Sequence, residues 1–291
     1  MLRGQSIKTV VLIFIISLLP TGSQAKEMIT WMEAVAPPFY IHDGELKGQG
    51  YQDLITALLE QQLPEYEHRH MKANISRHYQ QWKEGKRACG LAMFKTPERE
   101  EFAYFSIPSV FTLPTVLIVR KDHLPTLGGK ETINLTELLK TNRFIIGRSN
   151  NRSYGLEFDS TLNAYGNETN IFAYEGPELS HNLFKMLLAG RIDALAGLPE
   201  EAMYLAETMG VRDKITTIGI EENQVNHDAS LTYVACSKTD WGKSTIEDIN
   251  EALLKIRPTE EYRAAYERWL APAAIGGYRQ LYQEIFLNIT K

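Results

Sequence analysis

Short apolar runs alternate with segments of helical spacing along almost the whole chain. "MITWMEAV" (28–35) and "ACGLAMF" (88–94) are typical of buried strands. Between them, "YQDLITALLEQQLP" (51–64) places its leucines on one helical face and ends at a proline. A repeated strand–helix–strand order predicts an α/β fold whose sheets are mostly parallel and are flanked by helices.

The same alternation restarts near residue 115 with "TVLIVRK" (115–121) and continues to "KITTIGI" (214–220). "WKEGKRACGLA" and "LLAGRIDALAG" echo each other, since both read as helix, glycine, basic residue and strand. After the strand "SLTYVACSK" come two amphipathic helices and a tail, "YRQLYQEIFLNI", with the pattern of one more helix. The 291 residues therefore predict two α/β units and a terminal segment that rejoins the first.

The first 25 residues differ from the rest of the chain. A basic start is followed by the apolar run "VVLIFIISLL" and then by small residues up to Ala25, which is the three-part pattern of a secretory signal peptide. A membrane anchor is the alternative, but the run is about half the roughly 20 residues that a spanning helix needs. We expect cleavage after Ala25 and export to the periplasm, without lipid attachment because no cysteine lies near the cut.

The charge balance and the small number of cysteines limit which partners, cross-links and metal sites the protein can have. The chain has 36 acidic and 31 basic residues and no block of basic residues, which argues against nucleic acid. Export makes a disulfide chemically possible, but the sequence alone favours two separate buried thiols at Cys89 and Cys236. Two cysteines cannot build a zinc site, and His68 and His70 lack an evident third ligand, so no metal or cofactor is expected.

The stretch "MFKTPEREEFAYFSIPSV" (93–110) contains a short helix start with an unexpected cation. Thr96 is a good N-cap and Pro97 suits the first helical position. Arg99 opposes the positive helix end, yet its planar fork of donors suits a carboxylate. Spacing alone leaves two interpretations open: an anion site, or an ion pair between Arg99 and the neighbouring glutamates.

Four motifs in a fixed order carry a family resemblance: "GELKGQGYQDLITALL", "QWKEGKRACGLAMFKTPEREEFAYFSIPSV", "LLAGRIDALAG" and "YVACSKTDWGKSTIEDINEALLKI". The chain resembles the family 3 extracellular solute-binding proteins over roughly Met28 to Leu270. The resemblance implies a two-lobed, type II periplasmic-binding-protein fold with a ligand cleft and two crossing strands as a hinge. It places the signal peptide at 1–25, lobe one at 26–116 and 231–291, and lobe two at 117–230.

The resemblance also assigns ligand-binding residues. Arg99 would hold the ligand's carboxylate, with Thr96 in the same motif. On lobe two, Ser153 would meet the ligand through its hydroxyl and backbone N–H. Asn151 and Arg152 add donors to the predicted site, and a plain polar loop is the alternative for both.

Aromatic side chains near the first strand would complete the site. Trp31, Phe39 and Tyr40 could form an apolar wall for the ligand, while a core position is the alternative for Trp31. The resemblance further makes the strands of Cys89 and Cys236 neighbours, which leaves a bridge between them open.

Two positions depart from the amino-acid receptors of the family. Phe94 stands where these receptors usually carry a small hydroxyl residue, and Leu198 stands where an aspartate usually binds the α-amino group. A buried ammonium group without its counter-charge would cost about 2–5 kcal/mol. We therefore expect an anionic ligand that is not a standard α-amino acid, unless Glu200 or Glu201 replaces the missing carboxylate.

The resemblance implies a binding protein and not an enzyme. We expect a monomer that delivers a small carboxylate-bearing solute to a membrane transporter. One alternative is a ligand sensor that signals to a separate membrane receptor. A minor alternative is a dehydratase-like enzyme on the same fold, with Glu175 and Glu200 as candidate acids, although each is more often a surface residue.

Overall fold

A computed structural model describes residues 26–149, 154–174, 179–224, 227 and 230–291. The predicted signal peptide lies outside these residues, so its cleavage stays a prediction. Within the described ranges, none of the helices has the length and apolar character required to cross a membrane.

The order of elements follows the alternation predicted from the sequence. The first stretch forms β1 (Glu27–Glu33), α1 (Tyr51–Gln62), β2 (Tyr66–Lys72), α2 (Ile75–Lys83), β3 (Ala88–Met93), α3 (Pro97–Glu100) and β4 (Ala103–Phe111). The middle stretch forms β5 (Val116–Arg120), a 3₁₀ helix (Lys121–Leu127), β6 (Thr132–Ile133), α4 (Leu135–Lys140), β7 (Ile146–Ser149), α5 (Leu156–Tyr165), β8 (Ile171–Tyr174), α6 (Leu179–Leu188), β9 (Ala194–Gly197), α7 (Pro199–Thr208), a 3₁₀ turn (Arg212–Lys214), β10 (Ile215–Ile220) and a second 3₁₀ turn (Glu221–Gln224). The last stretch forms β11 (Leu231–Ser237), α8 (Asp240–Ile256), α9 (Glu260–Glu267), α10 (Pro272–Leu281) and a π-helical turn (Tyr282–Phe286).

The strands form two mixed sheets, one in each lobe. Lobe one contains the sheet β2-β1-β3-β11-β4, and lobe two contains the sheet β6-β10-β5-β9-β7-β8. β1 pairs in parallel with β2 and β3, and β7 pairs in parallel with β8 and β9. β11 and β5 pair antiparallel with their neighbours. The predicted two-lobed α/β fold is confirmed, with antiparallel strands where the chain crosses between the lobes.

The two crossings run side by side and form the hinge. The chain leaves lobe one through residues 112–115 and returns between β10 and β11. Thr112 N donates to Ser230 O at 2.9 Å, which joins the two crossings directly. Asn223 Nδ2 donates to Thr115 O at 2.8 Å. The residue bounds given for the lobes stay a prediction.

The sequence pattern does not predict β4, although it is nine residues long. Pro108 lies in its middle, and proline cannot donate to a ladder. β4 is an edge strand of its sheet, and its register with β11 shifts beside Pro108. Proline is tolerated there because an edge strand has a side without a partner strand.

A disulfide joins Cys89 on β3 to Cys236 on β11. The two residues face each other in the antiparallel ladder, with their Cα atoms 4.2 Å apart. The expectation of two separate thiols is therefore wrong. The disulfide forms because pairing of β3 with β11 brings together two cysteines that lie 147 positions apart in the chain.

The C-terminal segment packs on lobe one. Tyr278, Tyr282 and Phe286 form a row of aromatic rings that begins at Phe111, with ring centroids 4.8–5.9 Å apart. Arg257 is buried beside this row and donates to Pro108 O and Ile289 O, each at 2.8 Å. The tail is thus part of the lobe-one core.

Candidate ligand-binding cleft

A cavity of about 460 Å³ lies between the lobes, against the crossings. This volume is in the range of small-molecule sites. Its walls are contributed by lobe one (Phe39, Tyr51, Ala92, Phe94), by the hinge and its neighbours (Thr112, Leu113, Pro114, Thr115, Asn223, Thr232) and by lobe two (Tyr154, Gly155, Glu157, Leu198, Glu200).

The loop after β1 places Phe39 and Tyr51 in the wall. Asp53 Oδ2 accepts from Ile41 N and from Gly50 N, both at 2.9 Å, so the loop is tied to the first turn of α1. A side chain at Gly50 would collide with the carbonyl of Phe39, which explains the glycine. The rings of Phe39 and Tyr51 then lie 5.2 Å apart and form an aromatic corner.

A bulge at the end of β3 leads to Phe94. Two residues of β3, Leu91 and Ala92, lie opposite the single residue Val234 of β11. Ala92 has a φ of 51°, in the left-handed region that few non-glycine residues adopt. Bulges redirect the side chains that follow them, and here both Ala92 and Phe94 face the cavity.

Thr96 and Pro97 begin α3 as predicted. Thr96 Oγ1 accepts from Arg99 N at 3.3 Å, and Pro97 occupies the first helical position. However, α3 has only four residues, so its dipole is small. Any anion binding at this point therefore depends on the guanidinium of Arg99 and not on the helix.

Arg99 lies beside the cavity wall without an acidic partner. Its Nη1 donates to Phe94 O at 2.7 Å, and its guanidinium stacks 5.3 Å from the ring centroid of Tyr79. Glu100 pairs with Lys95 instead, at 3.3 Å. Within the described part of the chain, Arg99 forms no ion pair, so the alternative of pairing with neighbouring glutamates is not what the structure shows. Arg99 itself is not part of the cavity wall in this arrangement.

Glu200 is a buried carboxylate at the junction of the lobes. It is 1% exposed, and its Oε2 accepts from Tyr266 Oη at 2.8 Å. Tyr266 Oη in turn accepts from Leu113 N at 3.0 Å, so α7, α9 and the hinge meet at one hydroxyl. Burial, and then the charge of Glu200, raise the pKa of Tyr51 and of Tyr266, which keeps both hydroxyls protonated.

Two buried hydroxyls in the cavity wall lack a hydrogen-bond partner among the described residues. They are Tyr51 Oη and Thr232 Oγ1. Buried polar atoms are nearly always paired in folded proteins. Neither oxygen is exposed to the cavity, so neither is offered to a bound molecule in this arrangement.

Residues 28–272 match the family described as bacterial extracellular solute-binding proteins, family 3. The chain belongs to this family. Together with the interlobe cavity, the match confirms the predicted resemblance. Family 3 proteins are extracellular, and binding a solute is what the family is named for.

Solved structures share the fold of this family 3 protein at low identity. One is the probable amino-acid ABC transporter extracellular-binding protein of Bacillus subtilis, 18% identical, with a TM-score of 0.62 over 84% of this chain and 99% of that one. Another is a polar amino acid ABC uptake transporter substrate-binding protein of Streptococcus thermophilus, 18% identical, with a TM-score of 0.62 over 88% and 91% of the two chains. A histidine kinase sensor domain with similarity to periplasmic binding proteins is 14% identical, with a TM-score of 0.52 over 84% and 96%. A comparison with curated proteins gives no significant match.

The structure places the predicted ligand residues of this family 3 protein in different surroundings. Phe39 and Phe94 lie in the cavity wall. Trp31 and Tyr40 are 0% and 1% exposed and do not line this cavity, and a core position is the alternative that the sequence left open for Trp31. Trp31 packs there because its Nε1 donates to His68 Nδ1 on the neighbouring strand, at 3.1 Å. Asn151, Arg152, Ser153 and Glu175 lie outside the described residues, so their predicted roles are untested.

Sequence reasoning did not assign some of the wall of this family 3 site. Tyr51, Leu113, Glu157 and Thr232 were not among the predicted residues: Tyr51 and Glu157 lie in the first turns of α1 and α5, Leu113 follows β4, and Thr232 lies at the start of β11. Open α/β sheets bind ligands at the carboxyl ends of their strands, and that rule points to the connection from β1 to α1, which ends at Tyr51. Glu200 is not the surface acid that the sequence suggests, because Tyr266 from the other lobe covers it.

Proposed function

We propose that this family 3 protein captures a small carboxylate-bearing solute between its lobes in the periplasm and delivers it, as a monomer, to a membrane transporter. The observation that carries the proposal is the guanidinium of Arg99. It lies next to the cavity residue Phe94 and forms no ion pair with any described residue. A ligand carboxylate would supply the missing counter-charge through two parallel hydrogen bonds.

Arg99 has to turn to meet a ligand in the cavity. The turn gives up one hydrogen bond to Phe94 O and one stacking contact with Tyr79. The hydrogen bond from the charged guanidinium contributes about 1.5–3 kcal/mol, and the stacking contact about 0.5–1 kcal/mol. Two charge-assisted bonds to a carboxylate contribute about 1.5–3 kcal/mol each, so the exchange is favourable.

The charges in the cavity wall limit the ligand to one carboxylate. Glu157, in the first turn of α5, and the buried Glu200 both line the cavity. Their charges would repel a second carboxylate. Leu198 offers no counter-charge for an α-ammonium group, so we propose a solute that is not a standard α-amino acid. Glu200 is the residue placed to accept such a group if one is present, whereas Glu201 does not line the cavity.

Isothermal titration of the mature protein tests the carboxylate. A panel of monocarboxylates is titrated beside the matching neutral amides, and Arg99→Lys is titrated with the same panel. We expect binding of at least one acid and not of its amide. Lysine keeps the charge but not the fork, so its affinity should fall about 10–100-fold. Arg87→Lys is the matched control, because Arg87 is exposed and pairs only with Glu27 among the described residues.

Two results would refute the proposal. One is equal binding of an acid and its amide. The other is an affinity of Arg99→Lys equal to that of the Arg87→Lys control. Mass spectrometry of small molecules released from the purified protein would then identify the bound class without a panel.

The second candidate function is ligand sensing. The fold similarity to a histidine kinase sensor domain is the observation that favours it. Solute uptake by cells that lack the protein separates the two functions. Lost uptake indicates transport, whereas normal uptake with a lost transcriptional response to the solute indicates sensing.

A further inference from the structure

Phe94 brings an exposed phenyl ring to the cavity. Its side chain is 49% exposed although it lines an interlobe cavity. A single exposed apolar side chain is common on a protein surface, but this ring lies in the wall of a cavity, where a bound apolar group would cover it favourably. The bulge in β3 directs this ring into the cavity, so its exposure follows from the backbone.

Leu198 faces the same cavity from lobe two and occupies an unusual position. It is the N-cap residue of α7 and makes no side-chain cap bond. Serine, threonine, aspartate and asparagine are the residues that stabilise an N-cap, and leucine cannot. The chain therefore places an apolar side chain where local stability favours a polar one.

The remaining walls extend this apolar surface. Phe39 and Tyr51 form an aromatic corner, and Leu113 and Pro114 cover the hinge side. Asn223 is already engaged with the carbonyl of Thr115. Most of the exposed cavity wall is thus apolar, although Glu157, Glu200 and several threonines also line it.

We infer that the cleft selects solutes with an aromatic or branched apolar body, which lies between Phe94 and Leu198. The inference rests on the proposed function, since the carboxylate of the same solute is held at Arg99. Phe94 and Leu198 are the residues that determine specificity, and each replaces a polar ligand contact with an apolar one.

Four probe ligands separate the effect of the side group, apolar or polar, from the effect of the α-ammonium charge. Phenylalanine and 3-phenylpropionate share an apolar body, and glutamine and glutaramate share a polar one. The second member of each pair lacks the α-ammonium group. In titrations, each probe with an apolar side group should bind at least tenfold more tightly than the probe of the same charge with a polar side group.

Two substitutions connect this preference to the named residues. Phe94→Ser and Leu198→Asn should each lower the affinity for the apolar probes at least tenfold and reduce the selectivity against the polar probes. Leu198→Asn introduces a favoured N-cap without adding a charge, so neither loss of folding nor a new ion pair explains its effect. Leu254→Ser is the control, because Leu254 is 43% exposed on α8 and does not line the cavity.

The outcomes separate this inference from the proposed function. Equal or tighter binding of the polar probes overturns the inference and leaves the carboxylate proposal standing. Unchanged selectivity in both variants also overturns it. If no acid of any kind binds, the proposed function fails, and the inference fails with it.

Discussion

Replacing Tyr266 by phenylalanine should destabilise the protein far more than the loss of one hydroxyl suggests. The Tyr266 hydroxyl donates to the buried carboxylate of Glu200 on lobe two and accepts from Leu113 N in the hinge. Tyr266 is 1% exposed, and so is Glu200, so water cannot replace the bond between them. A phenylalanine ring keeps the packing against Tyr51 and Tyr278 and removes both hydrogen bonds.

The magnitude follows from the two groups left behind. A hydrogen bond to a charged group contributes about 1.5–3 kcal/mol, and the bond to the half-buried N–H of Leu113 contributes about 0.5–1.5 kcal/mol. The two effects share one oxygen and are not additive in full. We expect Tyr266→Phe to lower the free energy of unfolding by about 3 kcal/mol.

Urea unfolding followed by circular dichroism measures this loss. Tyr278→Phe is the matched control, since its hydroxyl makes one bond to a neutral group, Phe111 O, at 3.2 Å. The control should lose only about 1 kcal/mol. Both variants retain the aromatic ring, so the difference between them reports the charged bond and the hinge N–H.

A Tyr266→Phe variant no less stable than Tyr278→Phe would refute this reasoning. It would mean that Glu200 and the Leu113 N–H find other partners when the hydroxyl is lost. The contact would then not join the lobes energetically.

Two further predictions concern a buried histidine and the disulfide. Burial lowers the pKa of His78 from 6.5 to about 4, so the folded protein binds fewer protons than the unfolded chain between these values. Stability that is present above pH 6.5 should therefore be lost as the pH falls towards 4, by about 1–2 kcal/mol at pH 5. Urea midpoints at pH 7 and pH 5 measure this loss, and a His78→Phe variant with the same pH dependence would contradict the assignment. Reduction of the bond between Cys89 and Cys236 should lower stability by about 2–5 kcal/mol, because the bond joins residues 147 positions apart. Thermal melts with and without reductant check it, and identical melts together with two reactive thiols in the unfolded, unreduced protein would show that no bond forms.

The aromatic residues in and after β1 show where sequence reasoning reached its limit. Trp31 and Phe39 have the same apolar character and lie eight positions apart, so residue type alone cannot separate core from cleft. His68 on the neighbouring strand accepts a hydrogen bond from Trp31 and holds it inside. The bond between Asp53 and the loop brings Phe39 to the cavity. Whether each ring lies in the core or in the cleft therefore depends on hydrogen bonds between residues 37 and 12 positions apart in the chain.

Local features, by contrast, were accessible from the sequence. Helical periodicity predicted α1 and α8, and at the start of α4 the side chain of Asn134, a residue type that favours N-caps, accepts from Glu137 N. The same logic identified Thr96 as the cap of α3. These interactions span three or four residues, so the sequence alone specifies them.

Residue order and side-chain chemistry alone determined the two α/β units and the helix starts, whereas the assignment of Arg99 to a ligand cleft came from the family resemblance. Only the tertiary structure decided that Cys89 meets Cys236, that Tyr266 covers Glu200, and that Pro108 lies in an edge strand. The physical reason is chain distance. Contacts between neighbours follow from backbone geometry, whereas contacts across the hinge exist only after two separately packed sheets have come together.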